Sequence, residues 1–137
     1  MMILVTAWRH HPDEHAIYAA LDALWRTARF DERVFVLHGD CPTGGDNYAK
    51  TWCMSRGVPQ ITFPARRYGV WPWCGPKRNA AMVEYLASAF DAAKHVLAFP
   101  QPDWETARVS GTRNCITLAR KAGFEPQIYP AVLAVPS

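Results

Sequence analysis

Apolar residues fall in short runs separated by longer amphipathic stretches. The run Met2–Ala7 (MILVTA) predicts a strand buried on both faces. Residues 12–28 then place Ala16, Ile17, Ala20, Leu21, Leu24, Trp25 and Ala28 at helical spacing. Asp13 and Glu14 fall in the first turn, where the helix dipole favours anions, and Pro12 is expected to open the helix. The alternation repeats. Val34–His38 reads as a strand, and about Asp46–Arg56 as a helix capped by Gly57 and stopped by Pro59. Gln60–Phe63 reads as a third strand. A Pro/Gly/Trp-rich loop, PARRYGVWPWCGPKRN, comes before a helix over about 77–90. His95–Phe99 is the fourth strand. A polar loop leads to Gly111-Thr112 and a helix ended by Gly123, and Gln127–Tyr129 is the fifth strand.

Strands alternating with helices predict an α/β fold: one Rossmann-like, doubly wound domain of about five parallel strands with helices on both faces. All 137 residues are assigned to that domain, with a core of about 3–129 and an apolar tail over 130–137. A chain of this length builds one real core without staples.

Composition narrows the class. Half the residues are apolar and a fifth are charged, which excludes a disordered, collagenous or coiled-coil chain. No apolar run reaches the roughly 20 residues of a membrane span. The start, MMILVTAWRHH, reads as a strand and not as a secretory leader. The net charge of +3 is too small for a bulk duplex-DNA footprint. The widely spaced Cys41, Cys53, Cys74 and Cys115 match no zinc template and read as reduced thiols in a cytoplasmic protein. His11 and His15 are four apart, as zinc ligands on a helix are, but no third ligand is visible, so no metal is expected. No cofactor is expected either.

Ligands of open parallel sheets bind at the carboxyl ends of the strands, so chemistry is sought in the loops there. Thr6-Ala7-Trp8-Arg9 leaves the first strand. Gly39–Asp46 precedes a helix. Gly44 and Gly45 either let backbone approach a phosphate or form a tight turn with Asp46 as N-cap. Gly75-Pro76-Lys77-Arg78-Asn79 puts two cations near a helix start, where the dipole disfavours them, which points to a bound anion or a partner carboxylate. Gly111-Thr112-Arg113-Asn114 repeats the theme: glycine, hydroxyl, guanidinium.

Assembled in this order, the motifs resemble the SLOG superfamily, in its YspA-like branch, over roughly Ile3–Tyr129. VTAWR is similar to that branch's T-G-S-R, and HGDCPTGGDNYA to H-G-x-A-x-G-A-D-x-x-A. GPKRNAAM is similar to G-P-x-R-N-x-x-M and parallels the R-K-x-x-M of the Lonely Guy phosphoribohydrolases. FP followed by SGTRN resembles a stretched P-G-G-x-G-T-x-x-E. The superfamily also holds the DNA-processing protein DprA and molybdenum-cofactor carriers. The resemblance implies a nucleotide-type ligand and a ligand shell of Arg9, Gly39, Asp46, Arg78, Asn79, Gly111 and Thr112. Related enzymes form dimers. With the Trp-rich loop and the apolar tail, that predicts a homo-oligomer.

The departures shape the functional expectation. Trp8 replaces a small residue, and would either stack on a base or obstruct the pocket. The phosphoribohydrolase glutamate, three residues after the Thr, is Cys115 here, a poor substitute for a carboxylate at an oxocarbenium-like centre. Glu105, in the long 100–110 loop, is the candidate to fold back and replace it. The first expectation is therefore a nucleotide-binding sensor, carrier or sequestering module. The alternative is hydrolysis of a nucleoside 5′-monophosphate, with Arg78 on the phosphate or ribose and Asp46 or Glu105 as carboxylate. A third reading, single-stranded nucleic acid, rests on the cations and aromatics Arg66, Arg67, Tyr68, Trp71, Trp73, Lys77 and Arg78.

Overall fold

The computed structural model describes residues 1–90 and 92–133. It contains five strands: β1 (Met2–Ala7), β2 (Phe35–His38), β3 (Gln60–Thr62), β4 (Lys94–Phe99) and β5 (Gln127–Ile128). Four α-helices connect them: α1 (Glu14–Trp25), α2 (Gly44–Arg56), α3 (Cys74–Ser88) and α4 (Gly111–Lys121). All pairings are parallel and the strand order is β3-β2-β1-β4-β5. The fold is Rossmann-like and doubly wound. The chain steps outward from β1 through β2 and β3, then crosses back to β4 on the other side. β1 is thus central, paired with β4 over its whole length from Met2↔Lys94 to Ala7↔Phe99.

The apolar run of β1 divides by parity, since successive side chains point to opposite faces. Ile3 and Val5 join Ile17, Leu21 and Leu24 of α1 and Ala49, Trp52 and Cys53 of α2 in one core. Met2 and Leu4 join Met82, Val83 and Leu86 of α3 and Cys115 and Ala119 of α4 in the other. Full burial of each Val, Leu, Ile or Met side chain among them contributes roughly 1.5–3 kcal/mol. The buried Trp52 indole donates to Asp22 Oδ1 at 3.0 Å, and Arg56 Nε holds the same oxygen at 2.8 Å, so the polar edge of this core is satisfied.

The element boundaries shift at the helix starts. α1 begins at Glu14 and not at Pro12, because Asp13 is its N-cap and accepts the Ala16 amide at 3.1 Å. α2 begins at Gly44 with Thr43 at the N-cap position, which leaves Asp46 inside the first turn and not capping it. α3 begins at Cys74, so Lys77 and Arg78 stand four and five residues into it. Part of the predicted loop before α3, Ala65–Tyr68, is a single 3-10 turn. At the end of the chain, the Ala131 amide donates to Pro100 O at 2.8 Å. Residues 134–137 of the predicted apolar tail lie outside the described residues. No helix of the described residues is long and apolar enough to cross a membrane.

Candidate functional site

Strand order reverses between β1 and β4, and the loops leaving their carboxyl ends diverge around a cleft of about 470 Å³. Trp8 is fixed where they part. Its amide donates to Phe99 O at 2.9 Å, and its carbonyl accepts the His11 amide at 3.1 Å and the Gly45 amide at 3.2 Å. With its backbone held so, the half-buried indole lines the cleft, edge-on to His10 at 5.7 Å between ring centres. Arg9, exposed beside it, lines the cleft too. His11 does not. It is buried, packs edge-on against Phe99 and accepts the Asp13 amide at 3.1 Å, and burial lowers its pKa. His15 is exposed, and no metal-ligand group of three occurs among the described residues.

The Gly39–Asp46 loop is built from close approaches. Any Cβ on Gly45 would overlap that of Ala7. One on Gly44, whose φ is +66°, would meet the carbonyls of Arg9 and Trp8. Thr43 Oγ1 also donates to Arg9 O at 3.0 Å. These glycines seat α2 against the loop of β1 and do not line the cleft. Gly39 is equally constrained, because a Cβ there would collide with the Arg78 guanidinium and come within 2.8 Å of Asp46 Oδ2.

Asp46 reaches the cleft from the first turn of α2. Burial pushes its carboxyl pKa up, opposed by the nearby Arg78 guanidinium. His38, fully buried, accepts the Asp40 amide at Nδ1 (3.0 Å), so its Nε2 carries the proton toward Gln60 Oε1 at 2.7 Å. Arg78 donates from Nη1 to Gly39 O at 3.0 Å and from Nε to Asn79 Oδ1 at 2.8 Å. Asn79 in turn donates to Gly111 O at 3.1 Å and Asn114 Oδ1 at 3.0 Å. The chain Gly39–Arg78–Asn79–Asn114 therefore ties β2, α3 and α4 together along one wall.

α4 supplies the opposite kind of surface. Ser110 is its N-cap and accepts the Arg113 amide at 3.0 Å. Thr112, Cys115, Ile116 and Ala119 share its buried face, which puts Thr112 at the top of that face and at the cleft. Thr112 is 5% exposed. Below it, Cys115 is fully buried beside the Thr6 hydroxyl, and burial pushes its thiol up to about 11. It is neutral at any ordinary pH.

The cleft gathers Thr6, Trp8, Arg9 and Asp46 with Gly75, Arg78 and Asn79 of α3 and Gly111, Thr112 and Asn114 of α4. Gly39, Gly44 and Gly45 stand behind it, and Lys77 points to solvent. Arg113 faces the 100–110 loop, donating from Nη1 to Trp104 O at 2.8 Å and Ala107 O at 2.6 Å. Glu105 is exposed on that loop and does not line the cleft, which leaves Asp46 as its carboxylate among the described residues. Cys41, Gln101 and Ser110 also line it and were not singled out from sequence. Only Ser110 carried a signal, that of a small hydroxyl residue just before a helix. A larger hollow of about 650 Å³ lies at the other end of the molecule, around Met1, Met2 and Phe35, away from the carboxyl ends of the strands.

A doubly wound α/β protein with a cleft at its switch point is the class these features define. Within it, the sequence profile of the YspA, cpYpsA-related SLOG family matches residues 1–68, from β1 through the 3-10 turn. The chain belongs to this YspA-like branch of the SLOG superfamily. No curated protein and no solved structure matches it significantly.

Proposed function

We propose that the cleft binds a nucleotide or nucleotide-derived ligand and holds it without turnover, as a sensor, carrier or sequestering module does. The observation that carries this reading is the open N-terminus of α4, with Thr112 and Arg9 lining the same cleft. A helix N-terminus presents amide donors and a positive dipole end to an anion, and a guanidinium adds a charge-assisted fork. Trp8 offers the flat apolar face that a base needs. SLOG membership favours a nucleotide-related ligand. The neutral, buried Cys115 supports holding over hydrolysis, because it brings no charge to stabilise a cationic sugar centre. Calorimetric titration with nucleoside monophosphates, cyclic nucleotides and ADP-ribose tests the reading. Micromolar binding by at least one is expected, and silence across the panel removes it.

A second reading, N-glycosidic hydrolysis of a nucleoside 5′-monophosphate, is favoured by one feature: the carboxyl of Asp46, with its raised pKa, lies in the cleft near Arg78. Release of free base from AMP or CMP would establish it. A rate unchanged by Arg78→Ala would count against this assignment of the site.

A further inference from the structure

No acidic residue occurs between Asp46 and Glu84, whereas Lys50, Arg56, Arg66, Arg67, Lys77 and Arg78 do. The fold neutralises or occupies half of these. Lys50 pairs with Asp40, Arg56 with Asp22, and Arg78 is bonded to Gly39 O and Asn79. Arg66, Arg67 and Lys77 are exposed and make no ion pair among the described residues. Between them in the chain stand Trp71 and Trp73, 71% and 66% exposed. Trp73 lies one helical turn before Lys77, and its carbonyl accepts the Lys77 amide, so the two share a side of α3. Trp71 lines the mouth of the cleft.

A structural role does not account for these two indoles, since most of each ring faces water. Nor do the cations stabilise the fold through partners. Unpaired guanidinium and ammonium groups interleaved with exposed indoles are complementary to a flexible polyanion with stackable faces. We propose that the strip from Arg66 to Lys77 binds single-stranded nucleic acid. The phosphates run along Arg66, Arg67 and Lys77, and bases stack on Trp73 and Trp71. Contacts of this kind read no sequence, because every base has a face to stack. The strip begins at the mouth of the cleft but does not depend on what the cleft holds.

Fluorescence anisotropy of a labelled ten-nucleotide strand, titrated with the whole protein at several salt concentrations, tests this. Three phosphate contacts predict a slope of log affinity against log salt of about −2. The pair Arg66→Glu and Arg67→Glu, both on the surface, is expected to weaken binding at least tenfold. Trp73→Ala, which does not touch the cleft, is expected to weaken it by about tenfold. AMP titrations of the same variants separate the two readings, for nucleotide binding in the cleft should survive both changes. Affinity that is absent at low salt, flat with salt, or unchanged by the charge reversal overturns the proposal. So does the absence of strand binding together with a dimer, seen by light scattering, that Trp73→Ala dissociates, which would make the strip a contact between two copies of the chain.

Discussion

The N-termini of α2 and α4 look alike as sequence. Each follows a strand, each opens on glycine beside a hydroxyl residue (Thr43-Gly44-Gly45, Ser110-Gly111-Thr112), and each stands at the same edge of the sheet. In the folded chain they are opposites. The α2 start is filled by protein: the Gly45 amide donates to Trp8 O, and Gly44 and Gly45 lie too close to Trp8, Arg9 and Ala7 to carry a side chain. The α4 start is open. A Cβ on Gly111 would meet nothing within 4 Å, and Thr112 lines the cleft. A glycine before a helix is thus ambiguous, since the same freedom lets either the chain's own backbone or a ligand come close.

Substitutions separate the two. The largest effect is expected at α2. Gly44→Ala combines a left-handed φ with a clash against backbone, and Gly45→Val overlaps Ala7, so each should cost about 3 kcal/mol in chemical denaturation. Gly111→Ala should leave stability within about 0.5 kcal/mol. If Gly44 and Gly45 prove as tolerant as Gly111, the packing contrast is wrong. Next comes Thr112→Val, expected to leave stability within about 1 kcal/mol while weakening a phosphate-bearing ligand about tenfold or more, the worth of a hydrogen bond to a charged group. Unchanged affinity in calorimetry would move the anion elsewhere.

Asp46 gives a smaller, pH-dependent effect. A carboxyl whose pKa rises on folding binds more protons in the folded than in the unfolded state. The wild type should therefore lose stability as pH climbs from the ordinary carboxylate range through the raised folded pKa. Asp46→Asn should flatten that slope in urea titrations run at a series of pH values, and a steeper slope in the variant would contradict the assigned direction. The smallest effect is chemical. Cys41 lines the cleft and is partly exposed, whereas Cys53, Cys74 and Cys115 are buried. Iodoacetamide should modify one thiol quickly in the native protein, read by intact mass, and a cleft ligand should slow it. Rapid modification of Cys115 would show its cover to be loose.

The architecture was legible because its signals are local. Parity along β1 and the 3.6-residue spacing in α1 report burial without knowledge of partners, and repeated alternation of the two dictates a parallel, doubly wound sheet. The four motif loops were legible for a similar reason: glycine, proline and clustered cations stand out from an apolar background. Helix starts were read less well, since Asp13, Thr43 and Trp73 take their places through backbone geometry that periodicity does not encode.

What each loop residue touches was a matter for the folded chain. Arg78 and Arg113 are both guanidiniums near glycine-opened helices, yet the first is engaged by Gly39 O and Asn79 at the cleft and the second by two carbonyls of the 100–110 loop. Glu105 and Asp46 are both carboxylates in carboxyl-end loops, but one faces water and the other is buried. Composition and spacing set which groups reach one edge of the sheet. Only three-dimensional packing decides whether a given donor meets a backbone carbonyl or open space, because that depends on residues dozens of positions away.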